Sequence, residues 1–279
     1  LDTAKHLESL GYDVTYLPVD EYGLIDLEKL KSAITEKTVL ISIMFANNEI
    51  GTIQNVSQIG TIAHEHNVLF HTDAAQAVGH ISIDVKKMNI DLMSFSSHKI
   101  YGPKGIGALY LRSLMPRVKL NSIVHGGGQE RNIRSGTLNV PGIVGFAKAV
   151  EIAVAEMNDE NKKYKKWTDS MLEVFSKVGG KLNGHPTNRL LHNLNIGFEG
   201  IESKAIINSV SKKIAISAGS ACTTQNVEPS HVLLSLGLSE DQSHYAIRIG
   251  CGRFNTDEDI ETATGEILNA VESLAKIRL

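Results

Sequence analysis

Three apolar runs in the first half of the chain each stop abruptly at a small polar cluster. Thr38 to Phe45 runs into Ala46-Asn47-Asn48-Glu49-Ile50-Gly51, and Val68 to Thr72 runs into Asp73-Ala74-Ala75-Gln76. The run that opens at Asp91 ends in Ser96-Ser97-His98-Lys99, passes a Gly/Pro turn at Gly102-Pro103, and resumes over Ile106 to Arg112. Near-continuous apolar runs of this length read as strands covered on both faces, and the segment from about Val56 to Glu65 has helical spacing between two of them. Strands alternating with helices predict a mainly parallel sheet with right-handed crossovers. In open sheets of this kind ligands sit at the carboxyl ends of the strands. The pattern therefore predicts that Asn48, Asp73 with Gln76, and Lys99 share one rim.

The rest of the chain extends this scheme. Leu1 to Leu10 is helical and stops at Gly11, with no start signal before it, so the sequence reads as opening inside a helix, as a fragment or a processed product would. Val14 to Leu17 is β-prone, and Leu24 to Ile34 is helical with Asp26 as N-cap. A long polar helix over about Gly142 to Lys177 leaves the large unit, which sets the expected division at residues 1–153 and 154–279. Beyond it, β-prone runs (Leu190 to Phe198, Lys213 to Ser217, Tyr245 to Ile249) alternate with helices (Glu202 to Val210, Pro229 to Leu236, Asp257 to Ile277), predicting a smaller α+β unit. A formal net charge of −3 with both signs dispersed gives no footprint for nucleic acid or an anionic membrane surface. No apolar stretch reaches the roughly 20 residues that span a bilayer. Two widely spaced cysteines, Cys222 and Cys251, point to reduced thiols in a cytoplasmic or organellar-matrix protein.

Lys99 is the candidate Schiff-base lysine. At the end of a buried strand an amine loses hydration, its pKa falls, and it becomes a nucleophile toward a carbonyl. If that carbonyl belongs to pyridoxal phosphate (PLP), a carboxylate must keep the pyridine nitrogen protonated, and Asp73 is placed for this. Gln76 is the donor for the ring's phenolic oxygen, Asn48 assists from the neighbouring strand end, and Ser96 and His98 are near enough along the chain to serve the phosphate. Gly126-Gly127-Gly128, with Arg131 and Arg134 nearby, allows close backbone approach to an anion. Around Cys222 the residues are small and polar, from Ala218 to His231, as suits an exposed thiol that carries sulfur between sites. Cys251, beside a predicted strand, reads as structural. Arg248, ending that strand, could pair with a substrate carboxylate.

These motifs together resemble the PLP-dependent cysteine desulfurases of the NifS/IscS type, group I, in the class V aminotransferase superfamily. The matching segments are Asn47-Asn48-Glu49-Ile50-Gly51, His71-Thr72-Asp73-Ala74-Ala75-Gln76, Ser96-Ser97-His98-Lys99, His125-Gly126-Gly127-Gly128-Gln129-Glu130, Arg134-Ser135-Gly136-Thr137, and Gly219-Ser220-Ala221-Cys222-Thr223 with Glu228-Pro229-Ser230-His231. The long segment after Cys222 is similar to group I rather than to the short-loop group II. The resemblance implies the fold-type I scaffold, an α/β large domain with a smaller α+β domain. It implies that Lys99 holds PLP, Asp73 binds the pyridine nitrogen, Gln76 the phenolic oxygen, and Ser96 and His98 the phosphate. Thr137 would reach the phosphate of the other subunit's cofactor in a homodimer, and Arg248 with Asn48 would hold the carboxylate of L-cysteine. Cys222 would take the substrate's sulfur as a persulfide, leaving alanine, and pass it to an iron–sulfur scaffold protein or a tRNA-thiolation carrier. No metal ligand is implied.

Members of that family also carry, N-terminal to the part matched here, a Thr-rich phosphate loop and a histidine stacked on the PLP ring. Neither is in this sequence, so weak PLP retention and poor activity are expected unless a separate chain or further residues supply them. Two other readings use the same residues: another class V enzyme such as a selenocysteine lyase or an aminotransferase, and a non-catalytic scaffold subunit of the same fold. Neither of the first two chemistries needs a persulfide carrier, and a scaffold has no physical need of a strand-end lysine beside a strand-end carboxylate.

Overall fold

The computed structural model describes residues 1–113, 118–219 and 229–277. Its first helix, α1, spans Asp2–Ser9. Helix α2 (Leu27–Ala33) begins where Asp26 accepts hydrogen bonds from the backbone N–H groups of Glu28 and Lys29, satisfying two donors that a helix start otherwise leaves orphaned. Val14 to Leu17, β-prone by composition, forms no strand, and an isolated bridge between Val19 and Ile25 closes the next turn instead. A β-prone run becomes a strand only where a neighbour offers a ladder.

The first sheet holds β1 (Leu40–Ser42), β2 (Leu69–Asp73), β3 (Leu92–Ser96) and β4 (Gly107–Leu111) in that order. The first three strands are parallel and β4 returns antiparallel to β3. Helix α3 (Val56–Glu65) makes the crossover from β1 to β2, with Asn55 as N-cap. Its Val56, Ile59, Ile62 and Ala63 pack on Ile41, Phe70 and Met93, which point from three adjacent strands to one face. The opposite face is more open. Leu40 is 46% exposed and Ser42 is exposed, while Ile41 between them is buried. The expectation that Thr38 to Phe45 is covered on both faces is thus corrected: β1 is an edge strand, and pleat alternation gives it one packed face.

Helix α4 (Val140–Lys177) is 38 residues long and is shared between two cores. Phe146, Ala149 and Ala153 pack on Ile100 beside the first sheet. Tyr164, Trp167, Met171 and Phe175 belong to the core of the second. That second sheet, fully antiparallel, has the order β5 (Gly180–Leu182), β6 (Asn193–Phe198), β8 (Ala246–Gly250), β7 (Ser217–Ala218). Helix α5 (Ser203–Val210) and α8 (Asp257–Ile277) join α4 in covering it, and α6 (His231–Ser235) and α7 (Glu240–His244) lie between β7 and β8 in the chain. The two sheets are stitched together near the rim. The Leu190 N–H donates to the Gly51 carbonyl at 2.9 Å, the Ile53 N–H to the Asn188 carbonyl at 3.0 Å, and Asn193 Nδ2 to the Glu49 carbonyl at 3.1 Å. Among the described residues no helix is long and apolar enough to cross a membrane.

Candidate active site

The ladder of the first sheet continues past its strands toward the rim. The Ile43 N–H donates to the His71 carbonyl, the Phe45 N–H to the Asp73 carbonyl, and the Ala74 N–H to the Ser94 carbonyl. Just beyond, buried Asn47 accepts from the N–H groups of Glu49 (2.8 Å) and Ile50 (3.0 Å), a side-chain turn that leaves Asn48 exposed. At the next strand end Asp73 Oδ1 accepts from the Ala75 N–H at 2.9 Å. After β3 the chain enters a short 3-10 helix, Ser97–Ile100, closed by Tyr101 in the left-handed region (φ 65°). Gly102 follows because nothing larger fits: a Cβ there would stand 2.1 Å from Ser97 Oγ.

Asn48, Gln76, Lys99 and Arg248 line one cavity of about 390 Å³, together with His192, Asn193 and Ala215 to Ser217 of the small unit. Arg248 reaches it from β8 and donates through Nη1 to the Asn48 carbonyl at 3.2 Å. Four residues from four separate stretches of sequence thus converge. Ser96 and His98 flank Lys99 in sequence without lining the cavity, Asp73 stands exposed at the end of β2, and Thr137 is exposed on the segment before α4. Cys222 lies outside the described residues. Near either end of that gap, Gly219 and Ser230 both lie against Glu49: a Cβ on Gly219 would stand 2.2 Å from Glu49 Oε1, and the Ser230 side chain is a hydrogen-bond partner of the same carboxyl.

The structure corrects one sequence argument. Lys99 is exposed, not dried at the end of a buried strand, because the 3-10 turn sends Ser97 and Ile100 inward and His98 and Lys99 outward. Two further residues join the site without a role assigned to them from the sequence, Glu49 inside the Asn47 to Gly51 motif and His192 outside any motif. Glu49 is 1% exposed, its Oε1 has no hydrogen-bond partner, and burial raises its pKa against the opposing pull of Ser230, His231 and Arg248. His192 lines the cavity from a loop that carries no motif. Cys251 is buried in the second core, and burial pushes its thiol up to about 11, which suits the structural reading. A second cavity, of about 280 Å³ between Gln54, Val56, Ile81 and Asn188, holds no titratable side chain. Among the described residues no three His, Cys, Asp or Glu side chains group as metal ligands.

The sequence profile of the Aminotransferase class-V family matches residues 1–262. The chain belongs to that family. It is 49% identical over 276 residues to the cysteine desulfurase IscS of Methanosarcina thermophila, covering 98% of this chain and 68% of that protein. The mitochondrial cysteine desulfurase of Arabidopsis thaliana is also 49% identical, over 279 residues that cover 99% of this chain and 61% of that protein. Among solved structures, a NifS-like protein superposes with a TM-score of 0.89 at 36% identity, over 98% of this chain and 72% of its own. Class-V aminotransferases and cysteine desulfurases are PLP enzymes, and the donor set here suits that cofactor. A primary amine, three side-chain amides and a guanidinium line one cavity, and a carboxylate ends the adjoining strand.

Proposed function

We propose that this chain is a PLP-dependent cysteine desulfurase that converts L-cysteine to L-alanine and holds the sulfur on Cys222. The observation that carries the proposal is the convergence of Lys99, Gln76, Asn48 and Arg248 on one cavity, in a chain whose relatives bear that activity in their names. Bound PLP supplies an electron sink that weakens bonds at the substrate's α- and β-carbons. Lys99 anchors the cofactor, Asp73 keeps its ring nitrogen protonated, Gln76 donates to its phenolic oxygen, and Ser96 and His98 meet its phosphate. Arg248 and Asn48 fix the carboxylate of the substrate. Cys222 accepts the substrate's sulfur: the carbon–sulfur bond breaks, a sulfur–sulfur bond forms on Cys222, and the remaining carbon skeleton takes a proton to become alanine. Residues 1–153 form the cofactor-holding unit, and 154–279 the unit that carries Cys222.

The persulfide is passed to an iron–sulfur scaffold protein or a tRNA-thiolation carrier, in the cytoplasm or the mitochondrial matrix. A homodimer is the working unit, with Thr137 directed to the partner's cofactor. Its surroundings support this, since Ile123 is 91% exposed, Val144 63% and Val140 59%, an apolar area that a second copy would cover.

Purified protein given PLP, L-cysteine and a thiol reductant is expected to form alanine and sulfide in equal amounts; sulfide without alanine, or neither, overturns the proposal. In the same assay Arg248→Ala is expected to raise KM for L-cysteine about ten- to a hundredfold, since a hydrogen bond to a charged group contributes about 1.5–3 kcal/mol. An unchanged KM would place the substrate carboxylate elsewhere.

A further inference from the structure

Behind Lys99 lies a set of titratable side chains that the proposed chemistry does not use. The rings of His80 and His192 stack with centroids 4.0 Å apart and planes at 32°. His80 follows β2, and its ring hydrogen-bonds the backbone of Lys99. His192 precedes β6 and lines the cavity that Lys99 also lines. Each ring has a buried Nδ1 without a hydrogen-bond partner, which a group retained only for stability has no reason to show. Helix α4 braces the pair: Asn161 Nδ2 donates to the His80 carbonyl at 3.0 Å, and the Tyr164 ring meets His192 edge-on at 5.9 Å. Two residues past Lys99 a second contact spans the same gap. The Tyr101 hydroxyl accepts from the Arg253 N–H at 2.7 Å, and the Arg253 guanidinium lies 4.9 Å from the Tyr101 ring while pairing with Glu160 and Glu156 of α4.

We propose that the stacked His80–His192 pair is a positioning device for Lys99, tying the turn that bears the lysine to the small-unit wall of the cavity. The device requires neutral rings, since two imidazolium ions at this separation repel. The groups facing the pair keep it so on balance. For His80, burial opposes charge first, Glu160 and the Lys99 backbone favour it, and Arg253 opposes it. For His192, burial and the neighbouring His80 push the pKa down to about 3. A histidine held below its ordinary value of about 6.5 refuses in the folded state a proton that the unfolded chain accepts, so its contribution is intact above that pH and is lost as pH falls below it.

The proposal rests on Lys99 holding PLP, so its test has one arm that does not. In PLP-free protein followed by NMR, the ring protons of His192 are expected not to titrate between pH 8 and about 5, and those of His80 to titrate below the ordinary histidine range. In the second arm, His80→Ala and His192→Ala are each expected to weaken PLP binding, read from the visible absorption band, by about three- to tenfold, the worth of a packed ring pair. The double variant should lose little more than either single one, as coupled partners do. His192→Phe, which restores a ring without a titrating nitrogen, should recover most of the loss. Additive losses, or folded alanine variants that bind PLP like the parent, overturn the proposal. If the parent itself shows no band, the cofactor reading has failed, and the NMR arm decides alone: ordinary titration of both rings in the parent would sink the stacked pair.

Discussion

Lys99→Ala is expected to abolish the visible band of bound PLP and to cut alanine formation by several orders of magnitude, the scale on which removing a covalent catalytic group acts. Among the described residues lining the cavity Lys99 is the one primary amine, so alanine leaves nothing there that can join an aldehyde carbon. The local fold should survive, because Lys99 is exposed while the turn is held by buried Ser97 and Ile100 and by the Gly102 N–H donating to the Ser97 carbonyl at 3.0 Å. Lys99→Arg keeps the charge but not the nucleophile and should fail equally. Cys222→Ala, by contrast, is expected to keep the band and lose sulfide release, which separates cofactor binding from sulfur transfer. A Lys99→Ala protein with an unaltered band would remove Lys99 from the centre of the site. Unaffected sulfide release from Cys222→Ala would favour another class V chemistry.

Much of this arrangement is legible in the residues. Helices α3 and α8 stand on the predicted boundaries, because long periodic segments with capping residues announce both their type and their ends. Three parallel strand ends do bring Asn48, Gln76 and Lys99 to one cavity, since each apolar run ends at the rim. What the sequence conceals is what depends on a neighbour. Strand β5 is three residues of Gly-Lys-Leu, specified by pairing with β6 and not by its own pattern. Helix α7 is five polar residues held by a capping box of Ser239 and Gln242, so hydrophobic periodicity has nothing to register. The outward turn of Lys99 depends on a 3-10 helix rather than on strand burial, and His192 enters the site only through the stitching of the 183–193 segment to the Asn48 turn.

Asp91→Ala is expected to cost about 3 kcal/mol or more of unfolding free energy, measured by urea denaturation, the usual penalty for removing one partner of a buried ionic group. Asp91 is 1% exposed and opens β3 at the end away from Lys99. Its Oδ2 accepts from the Phe70 N–H at 2.9 Å and faces His64 Nε2 at 3.0 Å, and its Oδ1 accepts from Arg112 Nη1 at 2.9 Å. One carboxylate thereby ties β2, β3, α3 and the end of β4 together, and its loss leaves the buried Phe70 N–H without that acceptor. Asp91→Asn keeps part of this pattern and should cost less. The exposed pair Lys31–Glu28, at 2.7 Å, makes the control: its removal should leave the urea midpoint nearly unchanged, since solvent screens it. Because Asp91 is remote from the cavity, KM for L-cysteine should not change below the unfolding temperature. A loss no larger than that of Lys31–Glu28 would show that the strand order is held by the apolar face of Ile41, Phe70 and Met93 alone, with the buried carboxylate contributing only its register.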